Sequence, residues 1–316
     1  MIRSQHLKLI ASHSARHGIR GGAGLVSIFM TLVTGLMLSY CVVAPLEMMD
    51  ATRSEFDRQF EKQSNLDPTM RAEIAAQKAE LEAQMVERVN SEVKKIARKA
   101  IDWGVDPSEE QLKFLTDDHP ALISAFLVLL MLFTPFLTCL SGFNQTSSDI
   151  DSKGLRFLLI RTERSNIFLG RLIGTYLFTM VVFGILFAIL GLYFGLSVKV
   201  HEPGAMIAWL AQGYLRVMIF VLPYMALCAW VSCAISSSFG SLSIGLLVVY
   251  MYPVLIYLGT KIQPVIGYAQ YVTPWGYKWW LLEPIGPKFL AGVGVMFAFT
   301  ALITWLGHSY FGKRDL

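Results

Sequence analysis

IFLGRLIGTYLFTMVVFGILFAILGLYFGL, from Ile167 to Leu196, runs for thirty residues with a single charge, Arg171. About 20 helical residues cross the hydrocarbon core of a bilayer, so this stretch predicts a membrane span. A helix closes every backbone hydrogen bond within one segment, which lipid requires. The alternating pattern of a membrane β-barrel strand is absent. Outward from this stretch, five others predict spans: 24–46, 121–141, 206–235, 242–260 and 289–310. The expected fold class is an all-α integral membrane protein of six transmembrane helices.

Composition agrees. Of 316 residues, 54% are hydrophobic and only 16% charged, where a soluble domain carries about 25% charged residues. Cys41, Cys139, Cys228 and Cys233 all fall inside apolar runs, where packing as small apolar side chains is the plain reading. The N-terminal segment, residues 1–23, mixes Ile2, Leu7, Leu9, Ile10 and Ile19 with Arg3, Lys8, Arg16 and Arg20. That mixture predicts a cytoplasmic, interfacial amphipathic helix rather than a cleaved signal peptide.

Residues 47–119 are a different material. They hold eleven Lys plus Arg against seventeen Asp plus Glu, a net of −6 in a chain of +4. Asp67-Pro68 is a helix-start signal. Ile74, Leu81, Met85, Val89, Val93 and Ile96 then form one apolar stripe. Asp106-Pro107-Ser108-Glu109-Glu110 starts a further short helix. The expectation is an extracytoplasmic, coiled-coil-like helical hairpin between spans one and two, serving as a solvated spacer or as a docking surface for an extracytoplasmic partner.

Orientation follows from Lys and Arg in the short loops. Arg3, Lys8, Arg16, Arg20, Lys153, Arg156, Arg161, Arg164, Arg171, Lys313 and Arg314 share one side; Lys199, Lys261, Lys278 and Lys288 share the other. Both termini are therefore expected in the cytoplasm. The outer segment 261–288 is dense in Pro, Gly, Trp and Tyr, with Trp275, Trp279 and Trp280 suited to an interfacial aromatic belt. Its prolines and glycines predict a broken, re-entrant or surface-lying piece.

Catalytic signatures are missing. No phosphate-binding loop, H-E-x-x-H, Cys-x-x-Cys pair or G-x-S-x-G occurs, so no enzyme activity, cofactor or metal is expected in this chain, and nothing points to nucleic acid. Arg216, with Gln212 one turn before it, is the main ionisable candidate inside a span. It lines a polar pathway or interface, or it snorkels from the outer boundary. Gly170-x-x-x-Gly174 and Gly191-x-x-x-Gly195 permit close helix packing. Pro135, Pro223 and Pro253 are expected to bend their helices.

The loop of about 143–166 is basic and amphipathic, and reads as an interfacial helix running unbroken into span three. Its charged face suits anionic lipid or a soluble partner. It contains an acid, Asp149, then Gly154-Leu155-x-x-Leu158-Leu159, then Arg164-Ser165, then Leu169-Gly170-Arg171. This pattern resembles the cytosolic loop of ABC type-2 transporter permeases. The ending Phe311-Gly-Lys-Arg-Asp-Leu316 is similar to the tail common in that family. The six-span layout agrees with it, while Thr162-Glu163 departs from the usual proline turn and the insertion after span one is larger than in compact members.

The resemblance implies the permease subunit of an ATP-binding cassette transporter in the bacterial inner membrane. It implies a dimer with a second permease copy or paralogue, driven by a separate ATPase subunit that carries ATP and Mg. Asp149, Gly154, Arg156, Arg161 and Arg164 would then couple to the ATPase, with Gly154 making a tight turn. The other reading is a membrane-anchored scaffold whose outer hairpin recruits envelope proteins.

Overall fold

The computed structural model describes residues 4–20, 24–40, 91, 94, 95, 98, 108–197 and 203–314. Among them every regular element is helical. The elements are α1 (Ser4–Arg20), α2 (Gly24–Tyr40), α3 (Glu109–Thr116), α4 (Ala121–Gly142), α5 (Ser147–Asp151), α6 (Leu155–Arg161), α7 (Arg164–Ser197), α8 (Pro203–Ala234) and α9 (Ser238–Ile262). Two 3₁₀ segments (Pro264–Val272 and Pro274–Tyr277), α10 (Lys278–Leu282) and α11 (Pro287–Lys313) complete the order. Helices α4, α7, α8, α9 and α11 are long and apolar enough to cross a membrane, which marks the chain as an integral membrane protein. Of the first expected span, only Gly24–Tyr40 is described, as a shorter apolar helix.

By contacts the chain forms two compact units, Met1–Gly35 with Leu130–Leu316, and Leu36–Leu129. In the second unit, residues 91, 94, 95 and 98 are helical; the rest of the expected hairpin lies outside the described residues. The capping signal at Ser108 is realised. Ser108 Oγ accepts the Gln111 N–H at 3.3 Å, and Gln111 Oε1 accepts the Ser108 N–H at 3.1 Å. This reciprocal pair satisfies two donors that a helix start otherwise leaves open. Lys94 Nζ donates to Asp117 Oδ1 at 2.6 Å, and that hydrogen bond holds the Asp117 carboxyl below its usual range.

In the first unit, α8 packs most extensively with α11 and also against α7 and α9. Small side chains set the closest approaches. A Cβ at Gly174 would stand 2.4 Å from the Ala11 carbonyl oxygen, so the first small-residue motif of α7 seats α1. Gly170 faces Ile10 in the same way. This motif is therefore used within the chain. Ser27 and Ser141 hydroxyls join α2 to α4 at 2.6 Å.

Pro135 lies inside α4, where proline removes a backbone donor and crowds the preceding turn. Tyr250 of α9 repairs the site. Its Oη accepts the Phe136 N–H at 3.0 Å and donates to the Leu132 carbonyl at 3.3 Å. Those are the two groups that an ideal α-helix joins directly. A side chain from a neighbouring span thus satisfies backbone groups at membrane depth.

Candidate functional site

The loop between α4 and α7 does not run unbroken into span three. It folds into two short helices, α5 and α6, with breaks on both sides of α6. Lys153 takes the left-handed conformation (φ 57°) between them. Gly154 stays right-handed (φ −62°, ψ −27°), so the tight turn expected at Gly154 falls one residue earlier. Thr162 is extended (φ −152°, ψ 159°) and ends α6. No proline is needed for this second break.

Helix α6 divides its faces at helical spacing. Leu155 is fully buried with Ile167 and Phe168 of α7, Ala229 and Cys233 of α8, and Phe311 of α11; Leu158 and Leu159 pack on the same cluster. Burying one such leucine contributes about 1.5–3 kcal/mol. Ile160 points the other way and is 82% exposed. It lines an open cleft of about 540 Å³ with His6, Leu159, Thr162, Glu163, Arg164 and Asn166. The cleft is formed jointly by α1, α6 and the start of α7.

Charged loop residues are tied inward. Asp149 pairs with Arg171, whose guanidinium also donates to the Gln145 carbonyl. The acid and the arginine of the resemblance motif therefore clamp the loop to α7. Arg164 Nη1 donates to the carbonyls of Phe311, Gly312 and Arg314 at 3.3, 3.0 and 2.6 Å. These are end-of-helix acceptors that α11 cannot satisfy itself, and a cation there also complements the helix dipole. Arg314 in turn donates to the Cys233 carbonyl at the end of α8. Asp149 and Arg164 thus hold the site in shape. Arg156 and Arg161 lie on α6, and their side chains fall outside the described residues.

Sequence reasoning missed several members of this network. Ser232 Oγ accepts the N–H groups of Thr146 and Ser147 at 2.8 and 3.0 Å, fixing the entry to α5. Ser165 and His308 meet at 2.8 Å. An isolated serine or histidine in an apolar span gave no signal of either contact.

At the other end of the bundle, Arg216 does not snorkel. It is 2% exposed, with its guanidinium carbon 4.8 Å from the Trp209 ring centre and 5.3 Å from that of Phe289. Its Nη1 is buried without a hydrogen-bond partner. Gln212 is half-buried nearby on the same helix. Between α9 and α11 lie two 3₁₀ pieces and the short helix α10. Lys278 there is 3% exposed, with Nζ 4.5 Å from the Trp275 ring centre and 5.8 Å from that of Trp279. Burial among these rings pulls its ammonium down to about 7.

Among the described residues no group of His, Cys, Asp or Glu is arranged to hold a metal ion. No protein-family model matches the chain, and no curated protein matches it.

Proposed function

We propose that this chain is the permease subunit of an ATP-binding cassette transporter of the type-2 exporter kind, working as a dimer with a separate ATPase subunit. The observation that carries the reading is the build of α6. One face is buried against α1, α7, α8 and α11, while Ile160 projects beside an open cleft. A partner seated in that cleft pushes on a helix whose buried face touches three spans at once. Close-packed interiors transmit such displacement rather than absorbing it.

On this reading the loop end of the bundle faces the cytoplasm of a bacterial cell, and Lys/Arg asymmetry between the short loops supports that orientation. Asp149–Arg171 and Arg164 with the α11 carbonyls keep α5 and α6 in register with the spans. They are positioning residues. The ATPase contact falls on Ile160 and the cleft rim, and the ATP chemistry belongs to the partner.

The test is co-purification. Expressed with its genomic neighbours, the intact chain should bring down an ATPase subunit in stoichiometric amount. Ile160→Asp should abolish that association while leaving the thermal midpoint of the permease unchanged. Absence of any ATPase from the wild-type preparation overturns the proposal, as does undiminished association of the I160D variant.

A further inference from the structure

Arg216 presents an unsolved electrostatic problem. It sits on a membrane-spanning helix, is 2% exposed, and among the described residues makes no hydrogen bond or ion pair. Two aromatic rings attract its charge, but a cation–π contact offsets only part of the cost of burying a charge without a counter-ion. Lys278 repeats the pattern, buried over Trp275 and Trp279 and, among the described residues, paired with no carboxylate. Glu283, the buried acid of this segment, is already engaged by Lys288 at 3.5 Å.

The two cations belong to the same end of the bundle. Phe289, over which Arg216 stands, is in the first turn of α11, and Lys278 heads α10, which packs against both α8 and α11. The neighbouring residues are apolar and uncovered: Leu215 on α8 is 59% exposed and Leu290 on α11 is 63% exposed. A cationic locus thus adjoins a surface suited to a hydrocarbon chain. A guanidinium also presents a planar fork of donors that matches the oxygens of phosphate or carboxylate.

We propose that Arg216 and Lys278 form a binding site for the anionic headgroup, phosphate or carboxylate, of a membrane amphiphile whose tail lies along the apolar faces of α8 and α11. The headgroup supplies the counter-charge that neither cation finds among the described residues. This inference stands apart from the permease reading, because such a site serves a resident lipid and a transported amphiphile alike.

Native mass spectrometry of the full chain in detergent tests it, with phosphatidylglycerol and phosphatidylcholine added at equal concentration. The wild type should retain phosphatidylglycerol about tenfold better, equivalent to ~1.4 kcal/mol. Arg216→Gln should remove that preference, Lys278→Gln should reduce it, and Arg216→Lys should keep part of it. Excess inorganic phosphate should not displace the lipid, because it has no tail to bury. Lack of preference in the wild type overturns the proposal without reference to any variant. So does an unchanged preference in R216Q, or full displacement by inorganic phosphate, which would mark a site for a free anion. Dissociation of a dimer of this chain by R216Q with lipid preference intact also overturns it, since the counter-charge then comes from a second copy.

Discussion

Arg164 at the start of α7 donates from Nη1 to the carbonyl oxygen of Arg314, just past the end of α11, at 2.6 Å. The two sequence motifs on which the family resemblance rests, the loop and the closing tail, therefore meet in space. The same nitrogen reaches the Phe311 and Gly312 carbonyls, so one side chain closes the end of the last span.

Replacing Arg164 with Gln should lower unfolding stability by about 1.5–3 kcal/mol, the range for losing a hydrogen bond to a charged group. Arg164→Lys should recover only part, because a single ammonium cannot reproduce the guanidinium geometry. Thermal unfolding of the intact chain in detergent reads both. An unchanged midpoint for R164Q would show that the cap carries no weight.

Asp149 and Arg171 should behave as a coupled pair. Asp149→Asn leaves a mostly buried guanidinium short of its counter-charge, and Arg171→Met leaves the acid alone. A double-mutant cycle should return an interaction energy of about 0.5–3 kcal/mol. Additive single effects would contradict the clamp described for the loop.

Tyr250→Phe removes one hydroxyl that bridges Phe136 and Leu132 beside Pro135. The expected loss is about 1–3 kcal/mol. It should vanish in the background Pro135→Ala, where the helix can close that turn itself. Hydrogen exchange at the Phe136 amide offers a local check: faster exchange in Y250F, restored in the double variant.

Lys278 predicts a pH dependence of definite sign. Its pKa in the folded chain is about 7, below the ordinary lysine value of 10.5. Between those values the unfolded chain holds the proton that the folded one has released. Stability should therefore rise with pH across roughly 7 to 10.5, and the full penalty of burying the charge applies below 7. Lys278→Met should flatten that rise. A wild-type profile already flat over this window would mean that Lys278 keeps its ordinary proton affinity.

The five long spans were legible because their cause is compositional: runs without charge leave few alternatives in water or lipid. Caps were legible for the same local reason, as at Ser108. Breaks depending on a single backbone angle were not; nothing in Lys153 or Thr162 announces a left-handed or extended residue, so α6 reads in sequence as one helix with α7. Arg216 stands out in the sequence as an ionisable group within an apolar run. Its burial depends on Phe289, a ring brought over it by the packing of α11 on α8, which local sequence does not encode. Likewise Gly170 and Gly174 advertise a close approach but not its occupant, which is α1.

On the proposed function, Ile160 and its cleft receive an ATPase. Photocrosslinking tests it most directly, with a benzophenone amino acid placed at position 160 in the full chain and, for comparison, at Leu247 on the exposed face of α9. One crosslinked product, containing an ATPase subunit, should form at 160, and no such product at 247. No ATPase adduct at 160, or equal yields at the two positions, would contradict it.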